Sequence, residues 1–369
     1  MNTAALVLAA GYSSRMGEFK PLLPIGGITA IERAIGIFRA ADIDRVTVVT
    51  GYRSEELKPA LERANACQVL NPQYDDGMFS SLRTGVRALP PDVEACFILP
   101  ADIPLVRPLT IQLLLRACDN SGARVIYPVF QKRHGHPPLI RRDVLDETLS
   151  GDDEGGLRFV LARHAQESLE VEVIDEAIHL DLDTAEDLAR ARDLAQCHAA
   201  PSAAECWELL TRHHVAERIV RHSEVVADVA RKIAASLPAH AELDFAVLRS
   251  GSLLHDLAKG KPDHARVAAH LVEGLRFPKV AHVIACHGDV DFSSRRLDEA
   301  AIVYLADKLV QGEAIVSLEQ RFAPALTRFA ADPKAMDAAA RRLEAAKSIT
   351  REVEAQSGRR LEEILANEI

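Results

Sequence analysis

The run Leu6-Val-Leu-Ala-Ala-Gly-Tyr-Ser-Ser-Arg-Met-Gly-Glu-Phe-Lys-Pro-Leu-Leu-Pro24 decides how the chain is read. An apolar, strand-like stretch stops at Ala9-Ala10-Gly11. A polar loop with two glycines follows, carrying Ser13, Arg15 and Lys20. Small residues let backbone N–H groups approach an oxyanion closely, and two cations offset its charge. The loop contains neither Gly-x-x-x-x-Gly-Lys-Ser/Thr nor Gly-x-Gly-x-x-Gly. That argues against a Walker loop and against a dinucleotide-binding oxidoreductase. A strand running into a nucleoside triphosphate loop is the reading that remains.

Working outward, strand candidates fall at 4–9, 45–50, 67–70, 95–100, 123–129, 171–174 and 178–182. Several are continuous Val/Ile/Leu runs, as expected for strands buried on both faces. Amphipathic segments at 29–41, 54–64, 80–88 and 108–118 lie between them. The alternation predicts an α/β domain, three-layered and Rossmann-like, with a mostly parallel sheet. Ligands of such sheets gather at the carboxyl ends of the strands. Gly11, Asp102 and Asp183 each follow a strand candidate. Asp102, in Leu99-Pro-Ala-Asp-Ile-Pro104, is placed to hold Mg²⁺. Asp181 and Asp183 would share one face of the 178–182 strand. Alone, Asp183 reads as the N-cap of a helix over 184–194. Beside Asp102 it reads as a second metal carboxylate.

The stretch Cys197-His-Ala-Ala-Pro-Ser-Ala-Ala204 reads as a linker, after which strand patterns vanish. The expected organisation is a nucleotide domain at 1–196, an all-α domain at 205–325 and terminal helices at 334–369. In the second domain His255-Asp256 closes the apolar segment Val247-Leu-Arg-Ser-Gly-Ser-Leu-Leu254. A buried helix ending in adjacent His and Asp is costly unless both are satisfied. His222, His264, His287 and Asp307 stand on neighbouring helical segments. Mixed imidazole and carboxylate ligands suit Fe, Mn, Zn or Co better than Ca. His270 and His282 compete with His264 and His287 for a ligand role. Lys259 follows the pair either as a phosphate contact or as a cation at a helix C-terminus.

The chain has 369 residues, 48% of them hydrophobic and 27% charged, with a formal net charge of −10. No basic face is evident, which argues against nucleic acid as a partner. Six scattered cysteines without Cys-x-x-Cys suit reduced thiols. No signal peptide is evident and no apolar run approaches the roughly 20 residues of a membrane span. The expectation is a cytoplasmic chain that does not engage a membrane.

Residues 1–195 resemble the nucleotidyltransferases of molybdenum cofactor maturation, which join a nucleoside monophosphate from CTP or GTP to molybdopterin. The family pattern Leu-Ala-Ala-Gly-x-Ser-x-Arg-Met-Gly-x-x-Lys matches Leu8, Ala9, Ala10, Gly11, Ser13, Arg15, Met16, Gly17 and Lys20. The resemblance implies triphosphate binding by that loop, with Arg15 and Lys20 on the β- and γ-phosphates. It also implies Mg²⁺ on Asp102 and Asp183. Asn71 and Gly77-Met-Phe-Ser80-Ser81-Leu82 resemble the segment near nucleotide and acceptor, and Gly135-His136-Pro-Pro138 resembles the Gly-His-Pro of the cytidylyl branch. The family's Gly-Asp-Asp-Gly-Ala-Arg departs here to Gly151-Asp-Asp-Glu-Gly-Gly-Leu-Arg158, which bears on acceptor contacts. Ala10, where the guanylyl branch tends to have glycine, favours CTP over GTP, because a methyl narrows the space near the base.

Residues 215–315 resemble the HD-domain metal-dependent phosphohydrolases, whose His, His-Asp and distant Asp match His222, His255, Asp256 and Asp307. Members with two metals imply further ligands, met by His264 and His287. Asp256 would also orient the attacking water. The resemblances together imply a bifunctional enzyme, a molybdopterin cytidylyltransferase fused to a phosphohydrolase. Two other readings stand beside it. One is a sugar- or alcohol-phosphate nucleotidyltransferase. The other is a non-catalytic accessory protein that delivers cofactor to a molybdenum hydroxylase apoenzyme.

Overall fold

A computed structural model of the chain describes residues 1–13, 17–150, 155–238, 241–292, 296–328 and 331–366. The chain divides into two compact units, Met1–Gln196 and Cys197–Ile369. In the first, ten strands and seven helices follow in order: β1 (Thr3–Ala9), β2 (Pro24–Ile25), β3 (Ile28–Thr29), α1 (Ala30–Arg39), β4 (Val46–Thr50), α2 (Ser54–Arg63), β5 (Cys67–Leu70), α3 (Met78–Ala88), β6 (Ala95–Pro100), α4 (Pro108–Asp119), β7 (Val125–Phe130), β8 (Arg133–His134), β9 (Leu139–Arg141), α5 (Arg142–Glu147), α6 (Gly156–Arg163), β10 (Ser168–Glu172) and α7 (Ala185–Gln196).

The main sheet runs β10-β7-β9-β6-β1-β4-β5, with β8 paired to β7. β1 is parallel to both β4 and β6, and β4 to β5. β9 is antiparallel to β6 and β7, so the sheet is mixed. Ala5, Leu6 and Val7 are fully buried, as the uninterrupted apolar run of β1 requires. Gly85 of α3 lets that helix settle on the sheet. A Cβ there would stand 2.9 Å from Leu6 Cδ1 and Val49 Cγ2. Register aligns Leu8 with Pro100, Ala9 with Thr50, and Thr50 with Leu70. The residues just beyond, Ala10, Gly51, Asn71 and Asp102, therefore collect at one edge of the sheet.

The expected strand at 178–182 is not formed. Residues Glu176–His179 make a 3-10 turn, and 180–183 carry no regular structure. Its apolar alternation reflects burial instead: Leu180 and Leu182 sink into a cluster with Leu188 and Ala191 of α7. Two backbone bonds dock it, Leu182 N–H to Asp102 O at 3.0 Å and His136 N–H to Ile178 O at 2.9 Å. Asp181 and Asp183 thus share no strand face. The candidate at 171–174 is displaced to β10, and β8, β9, α5 and α6 were not foreseen.

The second unit contains α8 (Ala203–Arg212), α9 (Glu217–Ser236), α10 (Phe245–Leu254), α11 (His264–Gly274), α12 (Pro278–Cys286), α13 (Glu299–Lys308), β11 (Val310–Gln311), β12 (Ala314–Ile315), α14 (Leu318–Arg328), α15 (Pro333–Ser357) and α16 (Leu361–Ala366). The two-residue strands β11 and β12 form a hairpin that the all-helical expectation omitted. No helix among the described residues is long and apolar enough to cross a membrane.

α1 opens on a reciprocal cap. Thr29 Oγ1 accepts from Glu32 N at 3.4 Å, and Thr29 N donates to Glu32 Oε2 at 3.0 Å. Arg63 Nε, from α2, donates to Glu32 Oε1 at 2.8 Å. The Arg63 contact leads in pulling the Glu32 carboxyl down to about 2. A carboxyl depressed in the folded state contributes stability above its unfolded pKa of about 4.3 and loses it as pH falls towards 2. Glu32→Ala is expected to cost about 1–2 kcal/mol at pH 7. Urea unfolding at pH 7 and pH 3.5 should show the gap narrowing in acid. A gap of constant size would exclude the ion pair as its source.

Two candidate active sites

The cleft at the carboxyl edge of the first unit is walled by the backbone and side chains of Ala9, Ala10, Gly11 and Ser13 on one side, and Asp102 and Ser81 on others. Ser13 takes a left-handed conformation, φ 56°, which turns the loop back towards the sheet. Its Oγ accepts from Lys20 N at 3.1 Å. Lys20 is only 8% exposed, and its Nζ lies 3.1 Å from Asp102 Oδ2 and 2.5 Å from Asp183 Oδ1. Burial alone would lower the Lys20 pKa. Its hydrogen bonds and charge contacts with Asp183 and Asp102 outweigh that and hold it above its ordinary value. Two carboxylate oxygens from separate segments thus converge on one cationic point. That donor set is compatible with an oxygen-liganded divalent cation.

Asp183 does not cap α7. Thr184 does so: its Oγ1 accepts from Asp187 N at 3.1 Å, and its N–H donates to Asp187 Oδ2 at 2.8 Å. Asn71, 1% exposed, is committed to organising the cleft floor. Its Nδ2 donates to Ser80 Oγ at 2.9 Å and to Ser81 Oγ at 3.0 Å, and its Oδ1 accepts from Gln73 N at 3.0 Å. Ser80 turns its hydroxyl onto the carbonyls of Gln73 and Gly77. Neither Asn71, Ser80 nor His136 is part of the cleft wall. His136 Nδ1 is buried without a partner, and burial lowers the ring's pKa against the pull of Asp102 and Asp181. Arg15 lies outside the described residues, as do Gly151–Glu154 of the altered acceptor pattern.

Sequence reasoning passed over an aromatic group at the cleft. Tyr12 packs at a tilt against Tyr52 at 4.9 Å and meets Tyr74 edge-on at 5.6 Å between ring centroids, and its hydroxyl bonds Asp75. Tyr12 and Met78 line the cleft yet are 50% and 66% exposed. Tyr12 sits inside the loop already singled out, so its position was the available signal.

In the second unit, five segments each deliver a polar group to one centre. α9 carries His222, the end of α10 carries His255 and Asp256, α11 starts at His264, α12 ends before His287, and α13 carries Asp307. His255, Asp256, His287 and Asp307 are at most 7% exposed. Two trios form, His222–His255–Asp307 and Asp256–His264–His287, and within each the donor atoms lie within 4.8 Å of one another. His222 Nε2 is 3.2 Å from Asp307 Oδ1, and His264 Nε2 is 3.2 Å from His287 Nε2. His270 and His282 are exposed and belong to neither trio.

Three imidazoles are oriented alike. Nδ1 of His222, His255 and His287 lies 2.9, 2.7 and 2.6 Å from the carbonyl oxygens of Gly312, Ser252 and Ile284. A carbonyl only accepts, so each Nδ1 carries a hydrogen turned away from the centre, which leaves each ring's Nε2 to face it. His255 Nε2 is buried with no hydrogen-bond partner. That orphan acceptor, held by a backbone carbonyl behind it, fits a metal ligand. Burial pushes the His255 pKa down, but Asp307 and Asp256 push it up and win. Burial would raise Asp256 and Asp307, yet the surrounding imidazoles and lysines hold both well below the carboxylate range. α10 and α12 are in close contact at Gly251, where a Cβ would lie 2.5 Å from Val283 Cγ1.

Comparison with known proteins agrees with this division. Residues 5–168 match the MobA-like NTP transferase domain, and residues 219–311 match the HD domain. The chain is 30% identical over 190 residues to a molybdenum cofactor cytidylyltransferase of Escherichia coli K12, covering 51% of this chain and 94% of that protein. It is 31% identical over 130 residues to the bifunctional protein GlmU of Synechococcus sp. strain CC9902, covering 33% of this chain but only 28% of that protein's length. A nucleotidyl transferase structure from Methanothermobacter thermautotroptrophicus aligns with 27% identity and a TM-score of 0.46, over 53% of this chain and 98% of that one. The chain belongs to the MobA-like nucleotidyltransferases through its first unit and carries an HD domain in its second.

Removing the paired ligands tests the second centre. The double variant His255→Ala, Asp256→Ala takes one donor from each trio. The full-length protein is expected to lose most of its transition metal by elemental analysis, because outlying ligands without these two do not fix the geometry. Equal metal content in variant and wild type would place the metal elsewhere.

Proposed function

We propose that the first unit transfers CMP from CTP to molybdopterin with release of pyrophosphate, and that the second is a metal-dependent phosphohydrolase. The first reading rests on Lys20, whose ammonium meets Asp102 and Asp183 at the cleft. The name and near-full coverage of the E. coli relative support the choice of substrate class.

In this reaction an acceptor phosphate oxygen attacks the α-phosphorus. The bond from that phosphorus to the bridging oxygen breaks, and its electron pair leaves with pyrophosphate. Both reactants are anions, so positioning and neutralisation provide most of the acceleration. Lys20, with Arg15, holds the β- and γ-phosphates. Backbone N–H groups of the Ala10–Ser13 loop face the same charge. Asp102 and Asp183 would hold Mg²⁺, which when bound neutralises charge at the α-phosphate. Ser81 Oγ already accepts from Asn71, which leaves its hydroxyl hydrogen available to a ligand in the cleft. His136 is proposed as a binding residue on its Gly-His-Pro resemblance.

Asp102→Ala is expected to reduce nucleotidyl transfer at least about 10²-fold, since one carboxylate is lost where charge accumulates. Its far-ultraviolet circular dichroism should be unchanged, because the residue follows a strand end. Labelled CTP offered with molybdopterin, and separately with sugar phosphates, provides the assay. Turnover only with sugar phosphates would overturn the acceptor, and undiminished turnover by Asp102→Ala would overturn the site.

Ala10 is 5% exposed, lines the cleft, and has its methyl against Gly51, where a Cβ would approach to 2.9 Å. Removing that methyl widens the base end of the loop. Ala10→Gly should raise the ratio of GTP to CTP use in competition assays. A wild-type preference for GTP would refute this account of base choice.

The hydrolase reading rests on the two ligand trios. A divalent transition metal held there would supply a water of lowered pKa. Asp256 would orient that water, and Lys259, whose Nζ is 3.0 Å from Asp256, would offset charge on the approaching phosphate.

A further inference from the structure

The HD match ends at residue 311, yet the cavity over the ligand trios is completed by later helices. Arg321, Phe322 and Ala325 come from α14, and Arg342 from α15. These join Lys259 and Lys308, which lie beside the trios. The cations of this cavity fall into two kinds. Lys259 is paired with Asp256 at 3.0 Å and Lys308 with Asp307 at 2.6 Å. Each lysine therefore balances one ligand carboxylate. Arg321 and Arg342 have no carboxylate partner among the described residues, and Arg321 Nε is buried without any hydrogen-bond partner. A guanidinium nitrogen kept from water without an acceptor is costly, and a charged acceptor from a ligand would relieve it. Phe322, 6% exposed, anchors α14 beneath these groups.

We propose that Arg321 and Arg342 form an anion subsite that selects, for the HD centre, substrates carrying at least one phosphate beyond the one cleaved. The inference rests on the phosphohydrolase reading and names its substrate class: phosphoanhydrides and other oligophosphorylated compounds rather than simple monoesters. A single phosphate at the centre would be neutralised by the metal that the ligand set holds, with Lys259 shared between it and Asp256. Two surplus guanidinium groups match a second phosphate, for which their fork of donors is suited. α14 and α15 thus do more than pack the domain. They set its specificity from outside the segment that matches the HD domain.

The test uses the full chain carrying Lys20→Ala, so that the first cleft contributes little phosphate binding. Inorganic phosphate and non-hydrolysable methylenediphosphonate are titrated calorimetrically into metal-loaded protein, with and without Arg321→Gln and Arg342→Gln together. The parent is expected to bind the diphosphonate at least about tenfold more tightly than phosphate, and the double variant to lose that preference at unchanged metal content. A preference kept by the variant, or absent from the parent, would overturn the subsite. Arg342 is exposed and its carbonyl, not its side chain, accepts from Tyr304. Arg342→Gln alone is therefore a variant that folds, and it should lose part of the preference. Loss of the preference in a protein that holds metal but hydrolyses no phosphate ester would support the subsite and sink only the hydrolase reading.

Discussion

The first unit depends on the parallel register of β1 between β4 and β6. Parallel strands start from one side and finish on the other, so a ladder that aligns Ala9 with Thr50 and Leu8 with Pro100 delivers three chain reversals to one edge. Much of what lines the cleft follows from that alignment. Asp102 is two residues past the end of β6, the Ala10–Ser13 loop continues β1, and Asn71 follows β5. Asp183 arrives differently, carried by a segment tied to the Asp102 carbonyl by a single amide. The sheet sets the position of one carboxylate, and one hydrogen bond registers the other to it.

The second unit solves a different problem. Four nearly buried polar groups at its centre carry a desolvation cost that no apolar packing offsets. The chain meets part of this with backbone carbonyls behind the imidazoles and with lysines beside the carboxylates. These arrangements orient the groups, and they leave the inward-facing Nε2 of His255 unsatisfied. A centre so arranged favours a ligand that accepts several lone pairs at once, which is the character of a divalent metal.

The two architectures were legible from the sequence because their signals are local. Uninterrupted apolar runs mark strands buried on both faces, and β1, β4, β5 and β6 fall within a residue or so of their candidates. The hydrophobic spacing of α1–α4 gave those helices with similar ease. Ile178-His-Leu-Asp-Leu182 misled because alternation reports burial of every second residue, and a docked loop can bury Leu180 and Leu182 as well as a strand can. β8 and β9 are too short to show a period. Thr184 as the cap of α7 required only that two adjacent residues compete for one role, which sequence alone leaves undecided. The ligand residues of the helical centre stood out as His and Asp on apolar segments. Arg321 and Arg342 did not, since an arginine on an amphipathic helix looks like any solvated charge until the fold shows what it faces.

The contact of Gly251 with Val283 acquires meaning from where it falls. Gly251 is one helical turn before His255, and Val283 is one turn before His287. The two histidine rings are 5.1 Å apart between centroids. The spacing of the helices one turn upstream therefore acts as a gauge for the mouth of the centre, and the gauge is set by an atom that is absent. Any side chain at residue 251 would wedge α10 from α12 and carry the two imidazoles apart without touching either. The dimension of a polar site is here fixed by an apolar contact, so substitutions remote from its chemistry can detune it as surely as loss of a ligand.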